Sequence, residues 1–248
     1  MELVLEEAGT FKRSIDAISV LINEAEFIID DKGMSLKATD PSQISMVDFY
    51  FKKEAFKEYK VEETIKIGVD LNQLSQVVSR AKTKDELLLR LEDDSNNLSL
   101  SFRGTSKRNF SIPLIDISSA DLPTPKIDFD SEIKLKAEVL QDSFKDASLL
   151  SSHITLEIKG DSFFVLADSS KGKFKNELAK DDAAMVSIKS QSDSRAMFPL
   201  DYLTSMIKAA QSATEVSLFM KKDAPILLKY AIGEAEITYF LAPRIESD

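Results

Sequence analysis

The sequence contains no cysteine and no tryptophan, one histidine, and only 7 glycines and 7 prolines. Each scarcity removes a class of protein. Without cysteine there is no disulfide framework, thiolate nucleophile, iron–sulfur cluster or cysteine-containing zinc site, and the composition suits a reducing compartment. With His153 as the lone histidine, triads and metal centres built on several imidazoles lack a second one. The glycines do not assemble into a GxGxxG or Walker phosphate loop. No apolar run approaches the roughly 18 residues of a membrane span. The start, Met1-Glu2-Leu3-Val4-Leu5-Glu6-Glu7, has neither the basic n-region nor the long apolar core of a signal peptide.

What is present is ordinary globular material. The 248 residues are 43% apolar and 30% charged, enough chain for one large or two small domains with a sizeable core. Acidic residues outnumber basic ones 42 to 32, a net charge of −10. That balance argues against a protein coated in nucleic-acid-binding charge, while leaving room for a local basic face.

The chain repeats itself. Phe11-Lys12-Arg13-Ser14-Ile15-Asp16-Ala17-Ile18 aligns with Leu140-Gln141-Asp142-Ser143-Phe144-Lys145-Asp146-Ala147, an offset of 140 − 11 = 129. Leu71-Asn72-Gln73-Leu74-Ser75-Gln76-Val77-Val78 aligns with Leu200-Asp201-Tyr202-Leu203-Thr204-Ser205-Met206-Ile207, again at 200 − 71 = 129. Glu86 with Glu215 and Leu98 with Leu227 keep that offset, so one unit of about half the chain is used twice. Apolar residues at 11, 15, 18 and 22, and at 71, 74, 78 and 81, have the spacing of amphipathic helices, and their counterparts match. Around them run strand-like alternations: residues 26–29, 46–51, 86–91 and 98–102, then 154–158, 163–166, 216–220 and 236–241. The pattern predicts an α+β protein, two similar domains of antiparallel sheet with two helices each. The predicted boundaries are 1–116 and 129–248, joined by an extended, proline-containing connector over 117–128.

Catalytic signals are poor. His153 falls where a helix gives way to a strand and reads as a boundary side chain near the surface. Asp93 and Asp94 could pair as metal-binding or acid–base carboxylates, but a polar turn explains them more simply. The helices say more. Away from their apolar stripes they carry Lys12, Arg13, Arg80, Lys145 and Lys208 against Asp16, Asp142, Asp146 and Asp201, and Lys82 and Lys84 follow the second helix. Such mildly basic faces on an acidic chain are either simply solvated or able to touch phosphates weakly, without sequence preference. Leu122 and Pro125 in the connector, and Ala242-Pro243-Arg244-Ile245 after the last strand, either tack those segments to the body or line a groove for a partner peptide.

Three segments add a family likeness: Leu21-Ile22-Asn23-Glu24-Ala25, Ala38-Thr39-Asp40-Pro41-Ser42-Gln43-Ile44-Ser45-Met46-Val47, and Tyr239-Phe240-Leu241-Ala242-Pro243-Arg244-Ile245-Glu246. With the repeat and the connector, they closely resemble the replication sliding clamps, the proliferating cell nuclear antigen family, and look most like archaeal members. The resemblance implies a non-enzymatic processivity factor: a homotrimeric ring around duplex DNA, with no cofactor, no metal and no membrane association. It implies a DNA-facing lining at Lys12, Arg13, Arg80, Lys82, Lys145 and Lys208, in which Asp16 and Asp142 depart from a uniformly basic surface. A partner-peptide groove would map onto Gln43, Ile44, Met46, Leu122, Pro125, Pro225, Phe240, Ala242 and Pro243, for DNA polymerase, the clamp loader, flap endonuclease and DNA ligase. Subunits would join through edge strands at Lys107, Arg108, Phe110 and Ile112 on one side and Lys173, Phe174, Lys175, Glu177 and Leu178 on the other. The implied location is the cytoplasm, at the nucleoid, in an archaeon, or the nucleus in a eukaryote. Alternatives are a subunit of a heterotrimeric or checkpoint-type clamp and, from another class, a carboxylate metal hydrolase built on Asp93 and Asp94.

Overall fold

The repeat extends to every strand and α-helix among the described residues. A computed structural model describes residues 1–91, 96–117 and 122–245. The first half runs β1 (Glu2–Leu5), α1 (Ala8–Ser19), β2 (Glu24–Ile29), β3 (Gly33–Thr39), β4 (Ser45–Lys52), β5 (Glu58–Lys60), β6 (Ile65–Asp70), α2 (Leu71–Val78), β7 (Glu86–Leu91), β8 (Asn97–Arg103) and β9 (Lys107–Pro113). The second runs β10 (Ser131–Lys136), α3 (Ala137–Ala147), β11 (His153–Lys159), β12 (Ser162–Ser169), β13 (Gly172–Ala179), β14 (Met185–Ser190), β15 (Ser194–Pro199), α4 (Leu200–Ile207), β16 (Glu215–Met220), β17 (Ile226–Ile232) and β18 (Ala235–Leu241). Both helices recur at an offset of 129, since 137 − 8 and 200 − 71 agree, as do 131 − 2 and 226 − 97 for two of the strands. The antiparallel sheets and paired helices match the α+β expectation.

Two compact units divide the chain. One comprises Met1–Gln43, Val47–Pro123 and Ile232–Ile237; the other comprises Ile44–Met46, Thr124–Ala231 and the residues from Thr238 onward. Strand order in the first unit is β5-β1-β7-β8-β9 and β4-β3-β2-β6; in the second it is β14-β10-β16-β17-β18 and β13-β12-β11-β15. Replacing each strand by its repeat counterpart turns one pair of orders into the other.

Burial follows the pattern read from the sequence. In α1, Phe11, Ile15 and Ile18 are at most 1% exposed, and Leu71, Leu74 and Val78 of α2 likewise. The second unit repeats this with Leu140 and Phe144 of α3 and Leu203, Met206 and Ile207 of α4. A series of rings, edge-to-face at Phe27–Phe49, Phe49–Phe51 and Phe56–Tyr59 and tilted at Phe51–Phe56, runs through the first unit with centroids 5.0–6.3 Å apart. The second unit buries two tyrosines: the Tyr230 hydroxyl donates to the Met206 carbonyl at 2.9 Å and lies 3.3 Å from the Tyr239 hydroxyl. Burial pushes the Tyr230 phenol up to about 12.

The helices start differently. The Asp70 carboxylate accepts from the amides of Asn72 (2.8 Å) and Gln73 (3.0 Å), capping α2. At the equivalent place before α4 stands Pro199, which has no cap to offer but holds an extended φ of −65°.

Sheet edges are closed by the segment that follows each last strand. The Ile115 amide donates to the Gly68 carbonyl on β6 at 3.0 Å, and the Arg244 amide donates to the Met197 carbonyl on β15 at 2.7 Å. These bonds are themselves a repeat pair, since 244 − 115 and 197 − 68 both equal 129. The first depends on glycine: a Cβ at position 68 would sit 2.1 Å from the Ile115 carbonyl oxygen. Gly68→Ala is therefore expected to displace the Leu114–Ile115 segment and cost about 1–3 kcal/mol, read as a lower urea midpoint at constant m. An unchanged midpoint would show that the segment shifts freely.

Candidate functional site

The polar faces of the helices carry the charges expected of them. Lys12 and Arg13 on α1 are half-buried; Asp16, Arg80, Lys82, Lys84, Asp142, Lys145, Asp146, Asp201 and Lys208 are exposed. Cations on the sheets are mostly neutralised in place: Lys37 by Asp48, Lys52 by Glu236, Lys60 and Arg90 by Glu2, and Arg195 by Glu157. In contrast, Arg13, Arg80, Lys82, Lys145 and Lys208 enter no ion pair among the described residues. Their charge is available to an outside anion.

Lys12 differs from that set. Its ammonium donates to the Ser79 carbonyl at the end of α2, 3.2 Å away. Its repeat counterpart, Gln141, does the same for α4, donating to the carbonyls of Ile207 (3.2 Å) and Ala210 (2.9 Å). Position 12 thus helps cap a helix C-terminus, where a cation is also favoured by the helix dipole. The neighbouring charges invert between halves: Arg13 corresponds to Asp142 and Asp16 to Lys145, as 142 − 13 and 145 − 16 both equal 129.

The residues expected at subunit edges lie on β9 and β13, and neither strand has a neighbour on its outer side among the described residues. On β9, Lys107 is exposed and Phe110 half-exposed, its ring 5.8 Å from Phe102; on β13, Lys173, Lys175 and Glu177 are exposed and Phe174 half-exposed. Ile112 and Leu178 are only 2% and 5% exposed, so their side chains belong to the cores of their own units.

Arg108 is committed within its own chain. Its guanidinium donates to the Arg80 carbonyl at 2.7 Å, pairs with the Asp85 carboxylate and stacks 5.5 Å above the Phe102 ring. Asp85, 4% exposed, also accepts from the Lys82 amide at 3.1 Å. Gly104 makes room for it, since a Cβ there would lie 2.0 Å from an Asp85 oxygen. This clasp joins the edge strand β9 to the turn that presents Arg80 and Lys82. Sequence inspection passes over Asp85, because a carboxylate in Lys82-Thr83-Lys84-Asp85 looks like one more turn residue.

The expected peptide groove divides between the units. In the second, the Ala242 amide donates to the Ile44 carbonyl at 2.8 Å, which joins the strand-like tail to the Ile44–Met46 segment. Ile44, Met46, Pro125, Pro225, Ala242 and Pro243 are half-exposed, while Phe240 is only 5% exposed and serves the core. Alongside the tail is a recess of about 340 Å³ touching Thr155, Met197, Asp223, Pro243 and Arg244. In the first unit, Gln43 is exposed with φ 58°, a left-handed conformation held by an Asp40 turn: the Gln43 amide donates to the Asp40 carbonyl and the Ser42 amide to the Asp40 carboxylate, both at 2.9 Å. Leu122 of that unit is half-buried.

His153 opens β11, half-buried as a boundary residue should be. Its Nδ1 lies 3.0 Å from the Ser152 hydroxyl and 3.2 Å from an Arg244 guanidinium nitrogen. Burial first, and the Arg244 charge second, hold its pKa below the usual histidine value, with Asp201 opposing. Asp93 and Asp94 lie outside the described residues. Among the described ones, no group of three or more His, Asp or Glu side chains is placed to hold a metal, and no helix is long and apolar enough to cross a membrane.

Models of the N-terminal and C-terminal domains of proliferating cell nuclear antigen match residues 1–132 and 123–245. The chain belongs to the proliferating cell nuclear antigen family. Among similar curated proteins, a DNA polymerase sliding clamp of Thermococcus gammatolerans is 34% identical over 99% of this chain and 98% of its own length. One from Pyrococcus furiosus is 32% identical over the same shares. Among solved structures, proliferating cell nuclear antigen from Thermococcus kodakaraensis superposes with a TM-score of 0.94 at 25% identity, covering 98% of this chain and 99% of that one. The A. fulgidus protein bound to the C-terminal region of FEN-1 gives 0.90 at 25% identity, covering 100% and 99%. This member of the sliding clamp family therefore has the two-domain fold of its archaeal relatives.

The clasp yields a direct test. Asp85→Ala leaves the Lys82 amide and one side of the Arg108 guanidinium without their acceptor, and is expected to cost about 1–3 kcal/mol of stability. Chemical denaturation measures it, and a loss below about 0.5 kcal/mol would reduce the clasp to a surface contact.

Proposed function

We propose that this chain works without chemistry of its own, as a homotrimeric clamp that encircles duplex DNA and tethers replication and repair proteins to it. The observation that carries this reading is the pair of bare edge strands, β9 and β13, in a chain aligned with sliding clamps over 99% of its length. Long exposed edges are aggregation hazards unless paired or protected. Pairing β9 of one copy with β13 of the next satisfies both and propagates around a closed ring.

The ring explains why weakly basic helices suffice. A closed loop holds DNA topologically, so Arg13, Arg80, Lys82, Lys145 and Lys208 need only meet passing phosphates, and interactions that carry no base information permit sliding. Lys12 contributes charge to the same face while capping α2. Partners dock through short peptides on the surface formed by Ile44, Met46, Pro125, Pro225, Ala242 and Pro243. The FEN-1 segment bound to the A. fulgidus relative supports a flap endonuclease as one such partner; DNA polymerase, the clamp loader and DNA ligase are the others proposed. The compartment would be the cytoplasm, at the nucleoid.

Light scattering across a dilution series tests the ring. The expected mass is about 83 kDa, three times 27.7 kDa. A stable monomer would overturn self-closure and favour a heterotrimer. Combined reversal of Arg13, Arg80, Lys145 and Lys208 to Glu is expected to leave that mass unchanged and to lower loader-dependent retention on circular DNA several-fold. Normal retention would remove these residues from the lining.

A further inference from the structure

Beside the tail, the second unit opens a cleft of about 1040 Å³ whose charges are unevenly satisfied. Lys173 is paired with Asp168 at 2.7 Å and Lys175 with Glu177 at 2.9 Å, while Arg195 is paired with Glu157 at 3.2 Å. Arg244 is the exception. It is exposed, enters no ion pair among the described residues, and spends a guanidinium nitrogen on the imidazole of His153. A neutral imidazole is a weaker partner for guanidinium than a carboxylate, which offers two charged oxygens to the fork of donors.

The position of Arg244 is fixed by its backbone. The Arg244 amide bonds β15 and the Ala242 amide bonds Ile44, so the tail is pinned on both sides of Pro243 while the Arg244 side chain reaches over the cleft. Ile245 beyond it is 84% exposed. A peptide lying along Ala242 and Pro243 would pass this guanidinium.

We infer that Arg244 is the receptor for a carboxylate carried by the docked partner peptide, with His153 holding the guanidinium in place until that carboxylate arrives. The inference rests on the proposed docking role of the tail and adds to it a chemical preference: acidic residues beside the docking motif are favoured over their amides.

A carboxylate reaching Arg244 also changes the surroundings of His153. The charged groups that share a recess with the imidazole are Asp168 on β12, Lys171 in the β12–β13 turn, Lys173 and Lys175 on β13, Arg195 on β15 and Asp201 on α4, besides Arg244 itself. Of these, Asp168 and Lys173 pair with one another, Arg195 pairs with Glu157 and Lys175 with Glu177. In the free protein Arg244 opposes protonation; a bound carboxylate cancels that opposition and adds its own attraction. His153 is then more basic in the complex, and binding takes up a proton. By linkage, affinity for the acidic peptide rises as pH falls from about 8 to about 6.

The sole histidine makes this measurable, since one imidazole C2–H resonance reports the site. Two synthetic peptides would be titrated into the intact protein, each with a glutamine-and-aromatic motif, one flanked by Glu and the other by Gln. The Glu peptide is expected to bind about two- to fivefold more tightly, as for an exposed ion pair, and to move the His153 titration to higher pH; the Gln peptide should not move it. Arg244→Gln should abolish the difference between the peptides, and its trimer mass would be checked alongside. Binding of neither peptide would sink the docking surface itself. Equal binding of both, with an unmoved His153 titration, would overturn the carboxylate receptor while leaving the docking surface standing.

Discussion

Backbone hydrogen bonding at the edges of the sheets is the constraint on which the rest of the molecule depends. An open antiparallel sheet ends in a row of unpaired amides and carbonyls, and a stable chain must dispose of them. Here two edges are closed in the same way in both halves. The residues just after each last strand fold back, Ile115 onto Gly68 and Arg244 onto Met197. The closure fixes the ends of the connector and of the tail, which are the segments that carry Leu122 and Ala242–Ile245. The surface proposed for docking thus rests on the same backbone bonds that finish the sheets.

The edges left bare differ in chemistry. β13 reads Gly-Lys-Phe-Lys-Asn-Glu-Leu-Ala, with only Leu178 buried, and β9 has only Ile112 buried. Lysines and a glutamate along an edge deter indiscriminate pairing, while Phe110 and Phe174 keep a modest apolar component. Behind β9, the Arg108–Asp85 clasp ties the strand to the turn at Arg80 and Lys82. Edge geometry and the placement of two cations are consequently set by one ion pair.

Legibility in the sequence tracked the strength of the periodic signal. The four helices stand out because each has a narrow apolar stripe, and because the stripes recur 129 residues apart. The strand at 98–102 is visible because apolar residues alternate with serine, and that at 86–91 because it is a short leucine-rich run. β13 and β14 carry no clean alternation, since their outer faces and edges are wet, and only the family likeness points to β13. β5 is too short to announce itself at three residues. The helix cations are legible as polar-face residues, and only the family likeness gives them a role. The capping role of Lys12, the commitment of Arg108 and the burial of Asp85 depend on partners 67, 28 and 23 residues away, which no local pattern contains.

The inverted charges at the helix faces have a consequence for the reach of their field. Arg13 and Asp16 are three residues apart on α1, and Asp142 and Lys145 three apart on α3, so each pair sets opposite charges side by side, while Lys12 adds a positive charge to α1 and Asp146 a negative one to α3. The field of a dipole decays faster with distance than that of a charge, and salt shortens its reach further. Any polyanion passing such a surface would meet short-ranged attraction beside short-ranged repulsion.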